Sequence, residues 1–205
     1  MKVLLTNPEV DIFTRYLRVW SKKLIKDVRK IGTKFITLDK EQVSRARFEG
    51  TLAKTDSDVV LLHGHGSDNC VLGQNEQIVD KDNAKILEGK KVHAMSCSSA
   101  KKLGPLAISM GAKAYVGYDA LFLAPTMDEK QNDPSKDNTA ALFLDPAFIA
   151  EKALINGKDA DEAVKLAKEE YNRSIVKALM SDIQSDNDQF VSLLKWDRDH
   201  LVSCE

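Results

Sequence analysis

The chain has 205 residues, of which 43% are hydrophobic and 30% charged, a globular balance with length enough for a core that needs neither disulfides nor a structural metal. Its 30 Lys+Arg and 31 Asp+Glu leave a net charge of −1, which excludes bulk electrostatic affinity for nucleic acid or an anionic membrane surface. No apolar run approaches the core of a signal peptide or a membrane span, and three cysteines without a CxxC pair indicate neither a disulfide framework nor a zinc knuckle, so a cytoplasmic, reduced setting is expected.

Short β-rich runs alternate with helical stretches through the first two-thirds of the chain. Residues 2–6 read as a strand. Ile12, Leu17, Trp20, Leu24 and Val28 recur at helical spacing over 12–31, where Gly32 ends the pattern. A second strand is expected over 34–38 and a helix over 41–52, with Asp39 as its capping candidate. The near-continuous apolar run 58–62 suits a central parallel strand covered on both faces. Residues 71–79 read as a small hairpin or an irregular insertion, 81–87 as a short helix and 91–96 as the next buried strand. A helix over 103–110 ends at Gly111, a left-handed cap, and residues 113–118 give a further strand. The polar stretch 127–138, carrying Pro134, reads as an exposed loop. Helices are then expected over 146–156, 159–180 and 189–196, with a closing strand over 200–203. This order predicts one α/β domain, a three-layer α/β/α sandwich with a mostly parallel central sheet. Residues 1–125 form its core, 126–138 the exposed loop, and 139–205 the C-terminal helices and closing segment.

Two of the expected strands end in unusual residues. Val59-Val60-Leu61-Leu62 runs into His63-Gly64-His65-Gly66-Ser67, and His93-Ala94-Met95-Ser96 runs into Cys97-Ser98-Ser99. Open α/β sheets gather ligands beyond the carboxyl ends of their strands, so both segments are expected at one crevice. A histidine and a cysteine delivered there supply a thiolate nucleophile and its acid/base partner. The backbone N–H groups of Gly66 and Cys97 are candidates for an oxyanion hole. His63 is the rival ring, since residues two apart in extended chain share a face. A metal site at His63 and His65 finds no recognised ligand spacing in Asp68 and Cys70. Cys70 and Cys204 read as structural, His93 as core and His200 as surface. Gly64 and Gly66 make no dinucleotide fingerprint, so no cofactor is expected.

At these residues the chain resembles the caspase–haemoglobinase group of cysteine peptidases, which includes caspases, metacaspases, gingipains, clostripain, separase and bacterial CHAT domains. Gly64-His65-Gly66-Ser67 matches the group's histidine motif, and Ser96-Cys97-Ser98-Ser99 is similar to its cysteine motif, above all in the CHAT and gingipain versions. Leu103-Gly104 and the stretch from Met110 to Tyr118 resemble the helix and strand that come next in that group, and the segment from Lys195 to Val202 resembles a closing segment of gingipain-like members. The likeness is strongest over residues 58–120. The chain departs from the caspase signature Gln-Ala-Cys-x-Gly, places Met95 where metacaspases carry an aspartate, and spaces His65 and Cys97 closer than the roughly 50 residues of caspases. The resemblance implies a caspase-like fold and a cysteine endopeptidase with a His65–Cys97 dyad acting on peptides or proteins, alone, as a homodimer or beside an activating partner. It also implies that Asp119, just after the strand that follows Cys97, helps build the S1 pocket, where a carboxylate favours Lys or Arg at P1. The loop 127–138 is a candidate processing or gating segment. Two alternatives stand beside this reading: a catalytically silent caspase-like binding or scaffold module, and a non-peptidase cysteine hydrolase on a flavodoxin-like sheet.

Overall fold

The computed structural model describes residues 1–28, 32–180 and 187–205. Its strands in chain order are β1 (Lys2–Asn7), β2 (Lys34–Asp39), β3 (Val59–His63), β4 (Gly66–Ser67), β5 (Cys70–Leu72), β6 (Gln77–Val79), β7 (Lys91–Met95), β8 (Ala114–Tyr118) and β9 (Leu201–Cys204). Its helices are α1 (Ile12–Val28), α2 (Arg45–Thr55), α3 (Leu103–Ser109), α4 (Asn138–Ile155), α5 (Ala160–Met180) and α6 (Asn187–His200). The final residues of the first expected helix, 29–31, lie outside the described residues.

Six strands form the central sheet in the order β2-β1-β3-β7-β8-β9. All pairings are parallel except β8 with β9. Strand side chains alternate between faces, and here the alternation sorts them into two cores. Val3, Leu5, Val59, Leu61, Met95 and Val116 pack with residues of α1, α4 and α5. Leu4, Val60, Leu62, Val92, Ala94 and Tyr115 pack with residues of α2 and α3 on the opposite face. Both faces are therefore covered, which is why the central strands read as unbroken apolar runs.

Local hydrogen bonding decides where several helices begin. Helix α2 starts at Arg45, later than the apolar spacing suggests, because Ser44 accepts from the Arg47 N–H at 3.4 Å and caps it. Asp39 instead caps a short 3₁₀ turn, Lys40–Gln42. Helix α4 starts at Asn138, eight residues before Pro146. Asp137 caps it, accepting from the Ala140 N–H at 2.9 Å, while its other oxygen takes the Tyr16 hydroxyl and the Met127 N–H, each at 2.8 Å. The loop 127–138 is thus tied down at its end, where Asp137 is buried, and it contains the 3₁₀ turns Asp128–Lys130 and Pro134–Lys136. The stretch 66–79 forms a separate three-stranded antiparallel sheet, β4-β5-β6. Among the described residues, no helix is long and apolar enough to cross a membrane.

Candidate active site

Strands β3 and β7 are hydrogen-bonded neighbours, with His63 opposite Met95. The ladder extends one step further, the Gly64 N–H reaching the Met95 carbonyl at 3.4 Å. Both strands end there, so the histidine and cysteine motifs leave the same edge of the sheet side by side.

Gly64 has φ +143°, and a Cβ at this position would collide with the Leu72 carbonyl. Only glycine accepts this turn without strain. The turn then directs the chain into β4 and brings Gly66 against the cysteine loop. A Cβ on Gly66 would lie 2.6 Å from Ser96 Oγ and 2.8 Å from the Cys70 carbonyl. The residue after His65 therefore rests on the residue before Cys97. On the other loop Ser98 sits in the left-handed region, φ +57°, uncommon outside glycine and frequent at functional sites. Its N–H donates to the Ala120 carbonyl at 2.7 Å, which fixes the turn that carries Cys97.

The Cys97 side chain is half-buried, packed on the α1/α4/α5 core. Its thiol donates to the Phe122 carbonyl at 3.8 Å. Burial pushes this thiol above its ordinary pKa and the nearby Asp197 carboxyl adds to the rise, while backbone hydrogen bonding at Phe122 and at Cys97 itself pulls back.

The His65 ring is about two-fifths exposed, and its Nε2 lies 2.6 Å from Asp11 Oδ2. Phe13 packs on the imidazole at 5.6 Å between ring centroids, and Phe122 packs on Phe13 at 5.9 Å. A continuous aromatic contact thus runs from the histidine to the residue whose carbonyl faces the thiol. Asp11 is itself held in place, its Oδ1 taking the Thr14 N–H at 2.9 Å and the Thr14 hydroxyl at 2.8 Å. Burial raises the Asp11 carboxyl, but these bonds and His65 outweigh it and hold it below its ordinary pKa. The tautomer that directs Nε2–H at Asp11 leaves Nδ1 as the ring's acceptor.

The rival ring has a different environment. His63 is fully buried, with Nδ1 3.1 Å from Asn7 Oδ1 and Nε2 2.7 Å from Glu151 Oε1. His93 Nδ1 stands 3.1 Å from the same Glu151 oxygen, close enough for an ion pair but out of line for a hydrogen bond. Burial raises the Glu151 carboxyl, and the two imidazoles overcome that and hold it well below its ordinary value. Both of His63's nitrogens are thus engaged beneath the sheet edge, so His65 is the more accessible ring. Among the described residues, no group of three or more His, Cys, Asp or Glu is arranged to hold a metal ion.

Asp119 follows β8 as its position in the sequence requires. Its carboxylate meets His200 Nδ1 at 2.7 Å, and its N–H donates to the His200 carbonyl at 3.1 Å. Two other carboxylates at this edge belong to no motif that the sequence displays. One is Asp11, whose signal is the Asp-x-x-Thr cap directly before α1. The other is Asp197, which continues the buried Val191–Leu194 face of α6 one turn onward. Its Oδ1 takes the Leu123 N–H at 3.0 Å, and its Oδ2 is buried without a partner. Cys70 and Cys204 are free thiols, Cys70 buried and Cys204 half-buried. No protein-family model matches this chain, and no curated protein matches its sequence.

Proposed function

We propose that this protein is a cytoplasmic cysteine endopeptidase of caspase-like fold in which Cys97 is the nucleophile and His65 the acid/base. The observation that carries this reading is the contact of Gly66 with Ser96, which sets the two motifs together at the carboxyl ends of adjacent parallel strands. His65 Nδ1 takes the Cys97 proton and the thiolate attacks the scissile carbonyl. The Gly66 and Cys97 N–H groups receive the tetrahedral oxyanion, whose charge they stabilise without reorganising. The imidazolium returns its proton to the leaving amine, and water then releases the acyl group from sulfur with His65 acting as base. Asp11 holds the ring in the required tautomer and stabilises its charged form, as an orienting carboxylate does in other nucleophile–histidine pairs.

The raised Cys97 thiol and its bond to Phe122 favour a second reading, a catalytically silent binding module on the same fold. Peptidyl electrophiles and a peptide library separate the two. The peptidase reading expects sequence-dependent modification of Cys97 and cleavage abolished by Cys97→Ala. Sequence-independent modification with ester hydrolysis would point to a non-peptidase cysteine hydrolase, and no reaction with either would favour the silent module.

A further inference from the structure

We propose that the basic face of α1 from Arg15 to Lys22 is an exosite that holds an acidic segment of the polypeptide substrate; this rests on the peptidase reading above. Such a surface must carry cations that the chain itself leaves unneutralised. It must also offer a cleft to seat a segment, within a few residues' reach of His65 and Cys97.

The chain as a whole has a net charge of −1, yet α1 carries five basic residues and one acidic. Arg15, Arg18 and Lys22 recur at spacings of three and four and so share one helix face. Arg18 is neutralised by Glu9 at 2.9 Å and lies 3.5 Å from Asp39. The Arg15 and Lys22 side chains have no carboxylate partner among the described residues.

These cations line a cleft of about 380 Å³ between α1 and the 3₁₀ turn Pro134–Lys136, to which Val19 and Pro134 give apolar walls. The two acids in its lining are already engaged: Glu9 holds Arg18 and Lys40, and Asp133 holds Lys136 at 2.8 Å. Lys22 also lines a second cleft, of about 430 Å³, beside Lys26, which likewise has no carboxylate partner among the described residues. An occupant that matches this face carries several negative charges along its length. The acids interleaved among the cations oppose a uniformly charged phosphate backbone, whereas an acidic peptide can set neutral residues opposite them.

The face lies on the same side of the molecule as the candidate dyad. Glu9 follows β1 and Asp39 ends β2, so Arg18 reaches the carboxyl edge of the sheet. The parallel strands β3 and β7 bring His65 and Cys97 to that edge. Asp11, whose Oδ2 meets His65 at 2.6 Å, stands one turn before Arg15, and the Arg15 N–H donates to its carbonyl at 3.1 Å. Helical rise places Arg15 about 6 Å and Lys22 about 17 Å beyond Asp11. Extended chain covers these distances in about two to five residues.

Matched peptides test the assignment: one sequence that the protein cleaves, and the same sequence extended by six glutamates either before or after the scissile bond. One of the two extensions should lower KM on the order of tenfold with kcat unchanged, and high salt should erase the difference. In the Arg15→Gln/Lys22→Gln double variant the ratio of KM between plain and extended peptide should fall to near one, while Arg15→Lys should retain it. Neither side chain is buried, so the double variant is expected to fold. Indifference to both extensions, or a preference that the double variant keeps, overturns this proposal and leaves the peptidase reading standing. Absence of any Cys97-dependent cleavage overturns both. A labelled hexaglutamate peptide and an oligonucleotide of equal charge, titrated into the wild type, complete the test. Tighter binding of the oligonucleotide, lost in the double variant, would mark a nucleic-acid surface and overturn the proposal.

Discussion

Asp11, His65 and Cys97 come from three different segments, and the proposed mechanism asks something different of each. Removing the ring in His65→Ala is expected to lower kcat by about 10²–10⁴-fold. In Asp11→Asn the ring remains but loses its charged partner, so kcat should fall by less while KM stays nearly constant. Steady-state kinetics on one peptide gives both numbers, and a pure KM effect in either variant would contradict the assigned roles. Asp197 leads to a thermodynamic prediction of opposite sign. Its folded-state pKa lies above the unfolded value, so as pH rises above about 4 the unfolded chain ionises first and the fold loses stability relative to it. Asp197→Asn retains an oxygen for the Leu123 N–H and has no charge to bury. The variant should therefore be more stable than wild type at neutral pH, with the gap closing as pH falls toward about 4. Denaturant melts at the two pH values measure this, and a gap that widens in acid would refute the account.

At the scale of elements, the glycines around His65 do more than permit a turn. Gly64→Ala must place a side chain at φ +143° and against the Leu72 carbonyl, a strain on the order of 1–3 kcal/mol. It should lower Tm and shift His65 off Asp11, whereas Ser98→Gly, which only relieves a left-handed residue, should be tolerated. Thermal melts of the pair make the comparison. The strands and most helices were legible because their apolar spacing survives in the sequence: the runs at 58–62 and 91–96 gave β3 and β7 almost to the residue. Helix starts were not legible where a polar cap overrides the apolar pattern. Ser44 delays α2, and Asp137 starts α4 well before Pro146, whose position in the sequence suggests a first-turn proline. His65 and Cys97 stand out as candidates in the sequence because each lies just past an apolar strand, beyond His63 and Met95. Asp11 and Asp197 were not, since an isolated aspartate looks the same in sequence whether it caps a helix, faces water or lies buried beside a thiol.

Across the whole molecule, the sheet edge that carries the candidate site is braced from below by a buried carboxylate–imidazole cluster. Glu151 of α4 reaches between β3 and β7 to His63 and His93, tying the two site-bearing strands to one helix. Its folded-state pKa is depressed, so the stability it confers is complete above about pH 4.5 and is lost as pH falls through its folded value. His63→Ala leaves that carboxylate buried without its nearest partner, which should cost about 3–5 kcal/mol. The effect should appear as global destabilisation in urea, while any residual folded protein keeps His65 and Cys97 and, on the proposed reading, its activity. A stable but inactive His63→Ala would instead move the catalytic role to that ring.

The tie between Leu123 and Asp197 has a consequence for biosynthesis. Cys97 leaves the ribosome on the order of 100 residues ahead of the aspartate that helps hold the segment beside it, a delay of roughly 5–20 s at ordinary elongation rates. For that interval the nascent chain carries its thiol without α6 or β9, and hence without the wall that the C-terminal segment adds beside it. On the peptidase reading proposed above, the thiol therefore gains this wall only after α6 has emerged, well after Cys97 itself.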